Sequence, residues 1–258
     1  MAKSKAVKKS NGNGKSVLVE KSATSDNVFH RSGFGEYISS IILGANDGII
    51  TTFVVVAGAT GASLEPVVIV ILGFANVLGD AVSMGMGNYL GEKSAEDYNR
   101  GQRTNEEQAI ETHPEEERSE VREIFKKWNF AGKDLDRAVE IVTSDKKTWV
   151  DIMMRQELGI VERGFQGPIK EGVITFVAFI VAGSVPLIPF LLPALRDNGA
   201  FYSMIFSGVE LFSIGAMRAF ISPQKWIKGG LEMLAVGAIA SGLAYAVGYY
   251  VDKIINNF

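Results

Sequence analysis

The charged residues of this chain are distributed very unevenly. Of its 26 Lys and Arg and 29 Asp and Glu, only three fall within five long apolar segments, residues 38–61, 66–91, 172–195, 199–217 and 233–251. Those three are Asp47, Asp80 and Glu210. A helix rises about 1.5 Å per residue and a bilayer's hydrocarbon core is about 30 Å thick, so about 20 nearly uncharged residues in a row can cross it. Each segment reaches or approaches that length. The distribution predicts an all-α polytopic membrane protein with five transmembrane helices, and it excludes a wholly soluble enzyme. The chain has no Cys, which also excludes a secreted disulfide scaffold.

Lys and Arg stay preferentially on the cytoplasmic side of a membrane, so their placement between the segments predicts orientation. There are none in 62–65, fourteen in 92–171, one in 196–198, three in 218–232 and one after 251. This alternation puts the N-terminus, 92–171 and 218–232 in the cytoplasm and the C-terminus opposite. Residues 1–35 hold seven Lys and Arg among Gly, Ser and Asn without a secretory-leader pattern, and are expected to be a disordered basic cytoplasmic tail. The expected organisation is therefore the tail 1–35, transmembrane helices one and two in 36–91, a helical cytoplasmic insert in 92–171, and helices three to five in 172–258.

Within the insert, Glu92 to Glu111 should continue the second span out of the membrane. Thr112-His113-Pro114-Glu115 has the form of a Thr-capped helix start. Val121, Ile124, Phe125 and Trp128 then recur at helical spacing as one buried face, with Gly132 expected to end that helix. Ser144 is expected to cap a further helix that runs through Trp149, Met153 and Glu157 to a break at Gly159. At about 100° per residue Glu117 projects near the middle of the apolar stripe and Glu120 at its edge, while Glu115, Glu116 and Glu123 point outward. Inward carboxylates need a cation, because an ionised group removed from water loses several kcal/mol of hydration. Two readings stay open: a solvated acidic face with Met153 as core, or a carboxylate and thioether ligand set suited to a polarisable ion such as Fe²⁺. With His30 and His113 as the only histidines, zinc spacing is absent.

The polar residues of the spans fall on stripes. In the first, Glu36, Ser40, Asp47 and Thr51 lie near one line; in the second, Asn76, Asp80, Met84 and Asn88 follow steps of four. Ionisable groups in a membrane are costly and commonly line an ion path. No Lys or Arg lies within a span to pair with them, though bonding to backbone at helix breaks is an alternative. Gly44 with Gly48, and Ser83 with Gly87 and Gly91, are expected to let these helices approach their neighbours closely.

Several runs together resemble the vacuolar iron transporter family of Fe²⁺ and Mn²⁺ carriers, which has plant, yeast and prokaryotic members. They are Gly44-Ala45-Asn46-Asp47-Gly48, Asp80-Ala81-Val82-Ser83-Met84-Gly85 with Gly87-Asn88-Tyr89-Leu90, and Trp149 through Met153, Met154 and Glu157-Leu158-Gly159. Pro186-Leu187-Ile188-Pro189-Phe190 and Gly230-Leu231-Glu232-Met233-Leu234 add to the likeness, which covers about residues 34–251.

The resemblance implies a homodimer in the lipid bilayer, with an ion path between the two copies of spans one and two. It implies export of Fe²⁺ or Mn²⁺ from the cytosol in exchange for protons, for metal homeostasis and detoxification. The transport path would use Asp47 and Met84, with Asp80, Glu36, Asn76 and Asn88 along the same stripes. The insert's metal ligands would be Glu106, Glu117, Glu120, Met153 and Glu157; a further family glutamate falls on Ala109, so Glu107 or Glu111 would substitute or the site would have fewer ligands. Where plant-like members carry a glutamate in the second span this chain has Asn76, with Asp80 one turn on. No enzyme activity, prosthetic group or nucleic-acid partner is expected, and Fe²⁺ or Mn²⁺ is the transported and bound ion. The membrane would be vacuolar in a eukaryote and the cell membrane in a prokaryote. An alternative function is a membrane-anchored metal sensor or store whose insert binds iron.

Overall fold

The computed structural model describes residues 34–160, 167–218 and 225–256. The expected basic tail lies almost wholly outside them. The chain divides into a unit ending at Ile38 and a second from Ser39 onward, and the packing below is that of the second.

The described residues form helices and no strands: α1 (Phe34–Gly61), α2 (Pro66–Thr112), α3 (Pro114–Lys127), α4 (Gly132–Thr143), α5 (Lys146–Gln156), α6 (Pro168–Ser184), α7 (Ile188–Leu191), α8 (Gly199–Met217) and α9 (Trp226–Ile255). Five stretches are long and apolar enough to cross a membrane: Tyr37–Gly61, Pro66–Thr112, Pro168–Leu191, Arg196–Met217 and Trp226–Ile255. Their outer faces carry large apolar side chains in the open, among them Val67 at 58%, Val181 at 65% and Ile239 at 65% exposure. Apolar surface on this scale is unfavourable in water and natural against lipid tails.

The third span is broken. Pro186 and Pro189 remove two backbone donors, so α6 stops at Ser184, a 3₁₀ turn covers Val185–Leu187, and the short α7 completes the crossing. Close approach comes from glycine. A Cβ on Gly48 would stand 2.6 Å from the Phe179 carbonyl oxygen, and one on Gly44 would collide with the Thr175 carbonyl, so α1 and α6 meet backbone to backbone. On α2 the pattern differs from the expectation. Gly87 and Gly91 have nothing within 4 Å of a built Cβ and Ser83 is exposed, whereas Gly85 packs against Phe176 and Gly172 of α6.

Between the second and third spans, α3, α4 and α5 pack on the far end of α2 around Ile110, Val121, Phe125, Val139, Trp149 and Met153. Four local expectations are corrected. His113 rather than Thr112 is the N-cap of α3, because the Thr112 hydroxyl bonds back to the Gln108 carbonyl at 2.9 Å. Trp128 is 46% exposed, since α3 has ended one residue earlier and the ring no longer shares its buried face. The turn after α3 is made by Asn129 at φ 67°, and Gly132 begins α4 instead of ending α3. Asp145, whose carboxylate accepts from the Thr148 amide at 2.9 Å, caps α5, while Ser144 closes α4.

Candidate metal centre and membrane path

α2 is one continuous helix of 47 residues, so it carries the polar stripe of the second span and the first acid of the insert on a single rod. Glu106 of α2, Glu117 of α3 and Glu157 at the C-cap of α5 each offer a carboxylate oxygen, and these oxygens lie within 4.8 Å of one another. Glu106 is buried at 8% exposure. Its Oε1, and Oε2 of Glu117, are buried without a hydrogen-bond partner among the described residues.

Three carboxylates in this space repel one another. Burial, then hydrogen bonding and charge from Glu117, then the charges of Glu157 and Glu120, push the Glu106 carboxyl up to about 8. Burial, with the charges of Glu120 and Glu116 and against the hydrogen bond to Glu106, also holds Glu117 above the ordinary carboxylate range, and burial with the charges of Glu120 and Glu117 does the same for Glu157. A trio that retains protons for lack of a counter-charge is suited to exchanging them for a divalent cation. Met153 of α5 is completely buried in the core beside this end of α2.

The other expected ligands stand differently. Glu120 is on the exposed side of α3, although its charge acts on both Glu106 and Glu157. Glu107 is 3.5 Å from Arg103, which also holds Asp151 at 2.7 Å. Glu111 is paired with Lys146. Neither Glu107 nor Glu111 joins the trio of close oxygens.

In the spans, Asn76 donates to the Asp80 carboxylate at 2.8 Å. Asp47 and Asp80 are near enough for their charges to interact, which turns the stripes of α1 and α2 toward a common region. Thr51 donates back to the Asp47 carbonyl at 2.8 Å. Met84 is half-buried between Asp80 and Asn88. The Glu36 side chain lies outside the described residues.

A sequence profile of the VIT family matches residues 38–249. The chain belongs to the VIT family. Relatives with this likeness include a vacuolar iron transporter of Toxoplasma gondii, 33% identical over 236 residues that cover 88% of this chain and 78% of that protein. A vacuolar iron transporter of Plasmodium berghei is 32% identical over 228 residues, covering 85% of this chain and 84% of its own. Vacuolar iron transporter 1 of Arabidopsis thaliana is 29% identical over 213 residues, covering 83% and 85%.

In this VIT family chain the structure adds a polar junction that sequence reasoning missed. Asn88 of α2 donates to Thr175 Oγ1 at 2.7 Å and to the Glu171 carbonyl at 3.2 Å, both on α6, and to Ser40 Oγ of α1 at 3.3 Å. Ser40 in turn donates to the Glu171 carboxylate. Asn88 thereby ties three spans together at one end. Glu171 went unnoticed because it precedes the apolar run by one residue; the signal available was an acid in the first turn of a helix begun by Pro168.

Proposed function

We propose that the protein is a carrier that moves Fe²⁺, and Mn²⁺ as well, out of the cytosol across its membrane in exchange for protons. The observation that carries this reading is the trio Glu106, Glu117 and Glu157, whose first member stands on the same helix that bears Asp80, Met84 and Asn88. The names of the Toxoplasma, Plasmodium and Arabidopsis relatives support iron as cargo. The placement of basic residues supports a cytoplasmic insert, domains bounded as in the sequence reading, and an integral protein of the vacuolar or cell membrane.

In this reading the insert captures metal, with Glu120 and the Met153 thioether completing the oxygen set. The ion then passes to Met84 and Asp47 between two copies of the chain. Asp47 supplies the charge that a divalent ion needs in a low-dielectric path, Met84 supplies a soft donor that favours Fe²⁺, and Asp80, steadied by Asn76, is the next carboxylate along.

The test is uptake of Fe²⁺ into proteoliposomes with and without an imposed pH gradient. Wild-type protein should transport, and faster with the gradient. Asp47→Asn keeps volume and removes charge, so it should abolish transport while the purified protein stays folded. If wild-type protein binds metal through the insert but moves none, it is a membrane-anchored sensor or store. Full transport by Asp47→Asn would remove this residue from the path.

A further inference from the structure

Glu210 is the one charged residue of α8, and the metal path described above does not use it. It lies eleven residues into α8, about 16 Å from the start of the helix, which is mid-membrane depth. Its Oε2 is buried and has no hydrogen-bond partner among the described residues. Ser203 and Ser207, on the same helix, are both completely buried, and their hydroxyls also lack partners. At about 100° per residue the three side chains fall within about 60° of one another, so they form one polar line from the beginning of α8 to its middle.

Among the described residues the surroundings offer no counter-charge. α8 packs on α9, on α7 with the adjoining 3₁₀ turns, and, through Leu211, on Ala45 and Ile49 of α1. The charged residues of those elements are Lys228, Glu232, Asp252 and Lys253 on α9, Arg196 and Asp197 on the turn before α8, and Glu36 and Asp47 on α1. Lys228 faces Glu232 at 3.8 Å and Arg196 donates to the Phe190 carbonyl at 3.3 Å. No ion pair or hydrogen bond joins any of them to Glu210 among the described residues. A buried polar group in a native fold normally has a partner, and a membrane carboxylate without one marks a functional position.

We propose that Glu210 is the proton-carrying residue of this transporter, loaded along Ser203 and Ser207 and separate from the metal path through Asp47 and Met84. The inference rests on the proton-exchange reading above and gives its proton a site. In each cycle the carboxylate takes one proton from the side where α8 begins, opposite the cytosol, and releases it to the cytosol. No bond other than O–H is made or broken. The two hydroxyls, one helical turn apart, each donate and accept, so single waters between them can relay a proton that a stripe of Ala could not.

Full-length protein in proteoliposomes, with a pH-sensitive dye inside and Mn²⁺ as the probe, separates the possibilities. Wild-type protein should move protons with metal. Glu210→Gln should still bind and pass Mn²⁺, with proton flux reduced to the leak of protein-free vesicles and a metal rate indifferent to the pH gradient. Glu210→Asp should restore coupling in part, and Ser207→Ala should slow it. Wild-type metal transport without proton flux would remove the exchange reading and this inference together, whereas proton flux in Glu210→Gln equal to wild type would overturn the inference alone. Should Glu210→Gln fail to fold, carbodiimide labelling of the wild-type protein decides: peptide mass spectrometry should find Glu210 modified, more so at acid pH, and no label at any pH refutes the assignment.

Discussion

Replacing Glu106 with glutamine removes the most perturbed carboxyl of the insert while keeping its shape. Because the folded protein holds this proton up to about 8 and an unfolded chain releases it near 4.5, the folded state binds more protons between those values. Stability of the metal-free insert is therefore fully present below about pH 4.5, falls as pH rises, and levels off above about pH 8. At about 1.36 kcal/mol per pH unit, the difference between about 8 and 4.5 gives a ceiling of about 5 kcal/mol. Sharing the proton with Glu117 makes the realised loss smaller. Even about 1 kcal/mol moves the melting temperature of a domain this size by about 4–8 °C. Tryptophan fluorescence is a suitable readout, since two of the three Trp, Trp128 and Trp149, lie in the insert. In melts of the whole protein in detergent with chelator, wild type should lose Tm between about pH 5 and pH 8 and recover it with Mn²⁺. Glu106→Gln should show a shallower pH dependence and little gain from metal. A wild-type Tm that rises over this interval, or a Glu106→Gln profile equal to wild type, would refute the reasoning.

Glu117→Gln combined with Glu157→Gln should erase the metal-induced stabilisation read as a rise in Tm, which for wild type is about 2.7 kcal/mol at a hundredfold excess of metal over Kd; Mg²⁺ should give far less than Fe²⁺ or Co²⁺ in the same melt. Met84→Leu is nearly isosteric and should cost less than about 1.5 kcal/mol in stability, yet slow Fe²⁺ uptake more than Mn²⁺ uptake in proteoliposomes. Gly48→Val should destabilise by about 1–3 kcal/mol or more through collision with the Phe179 carbonyl, read as a fall in Tm. Single cysteines at Ser63 and Asn256 should label from the face opposite one at Ser119, and a common face for all three would contradict the proposed orientation.

The five spans were legible because hydrocarbon thickness acts on stretches of about 20 residues, and displacing one boundary by a turn does not change the count. The end of α2 was legible for a similar reason: from Glu92 to Glu111 the only helix breaker is Gly101. The inward turn of Glu117 followed from helical spacing alone, and its meeting with Glu106 and Glu157 needed the tertiary packing of three helices. What was misread is decided by single residues. Whether Thr112 or His113 caps α3 depends on which backbone group the threonine hydroxyl reaches, and it reaches back to Gln108. Gly132 and Asn129 compete for the same left-handed turn, and both have positive φ. Gly87 and Gly91 share the spacing of a packing motif, but that face of α2 meets no neighbour among the described residues of the chain.

The unbroken α2 imposes a rule on length. Met84 and Glu106 are 22 residues apart, which places them about 33 Å apart along the axis and, after six full turns, only about 40° apart around it. One residue inserted between them, for example after Gly91, would swing Glu106 through about 100° and out of reach of Glu117 and Glu157. Seven inserted residues would restore the azimuth to within about 20° and lift the insert by about 10 Å as a body. Variation in the length of this stretch is thus tolerated only in quanta of whole turns, and the distance between Met84 and the carboxylate trio is a property of one helix rather than of any hinge.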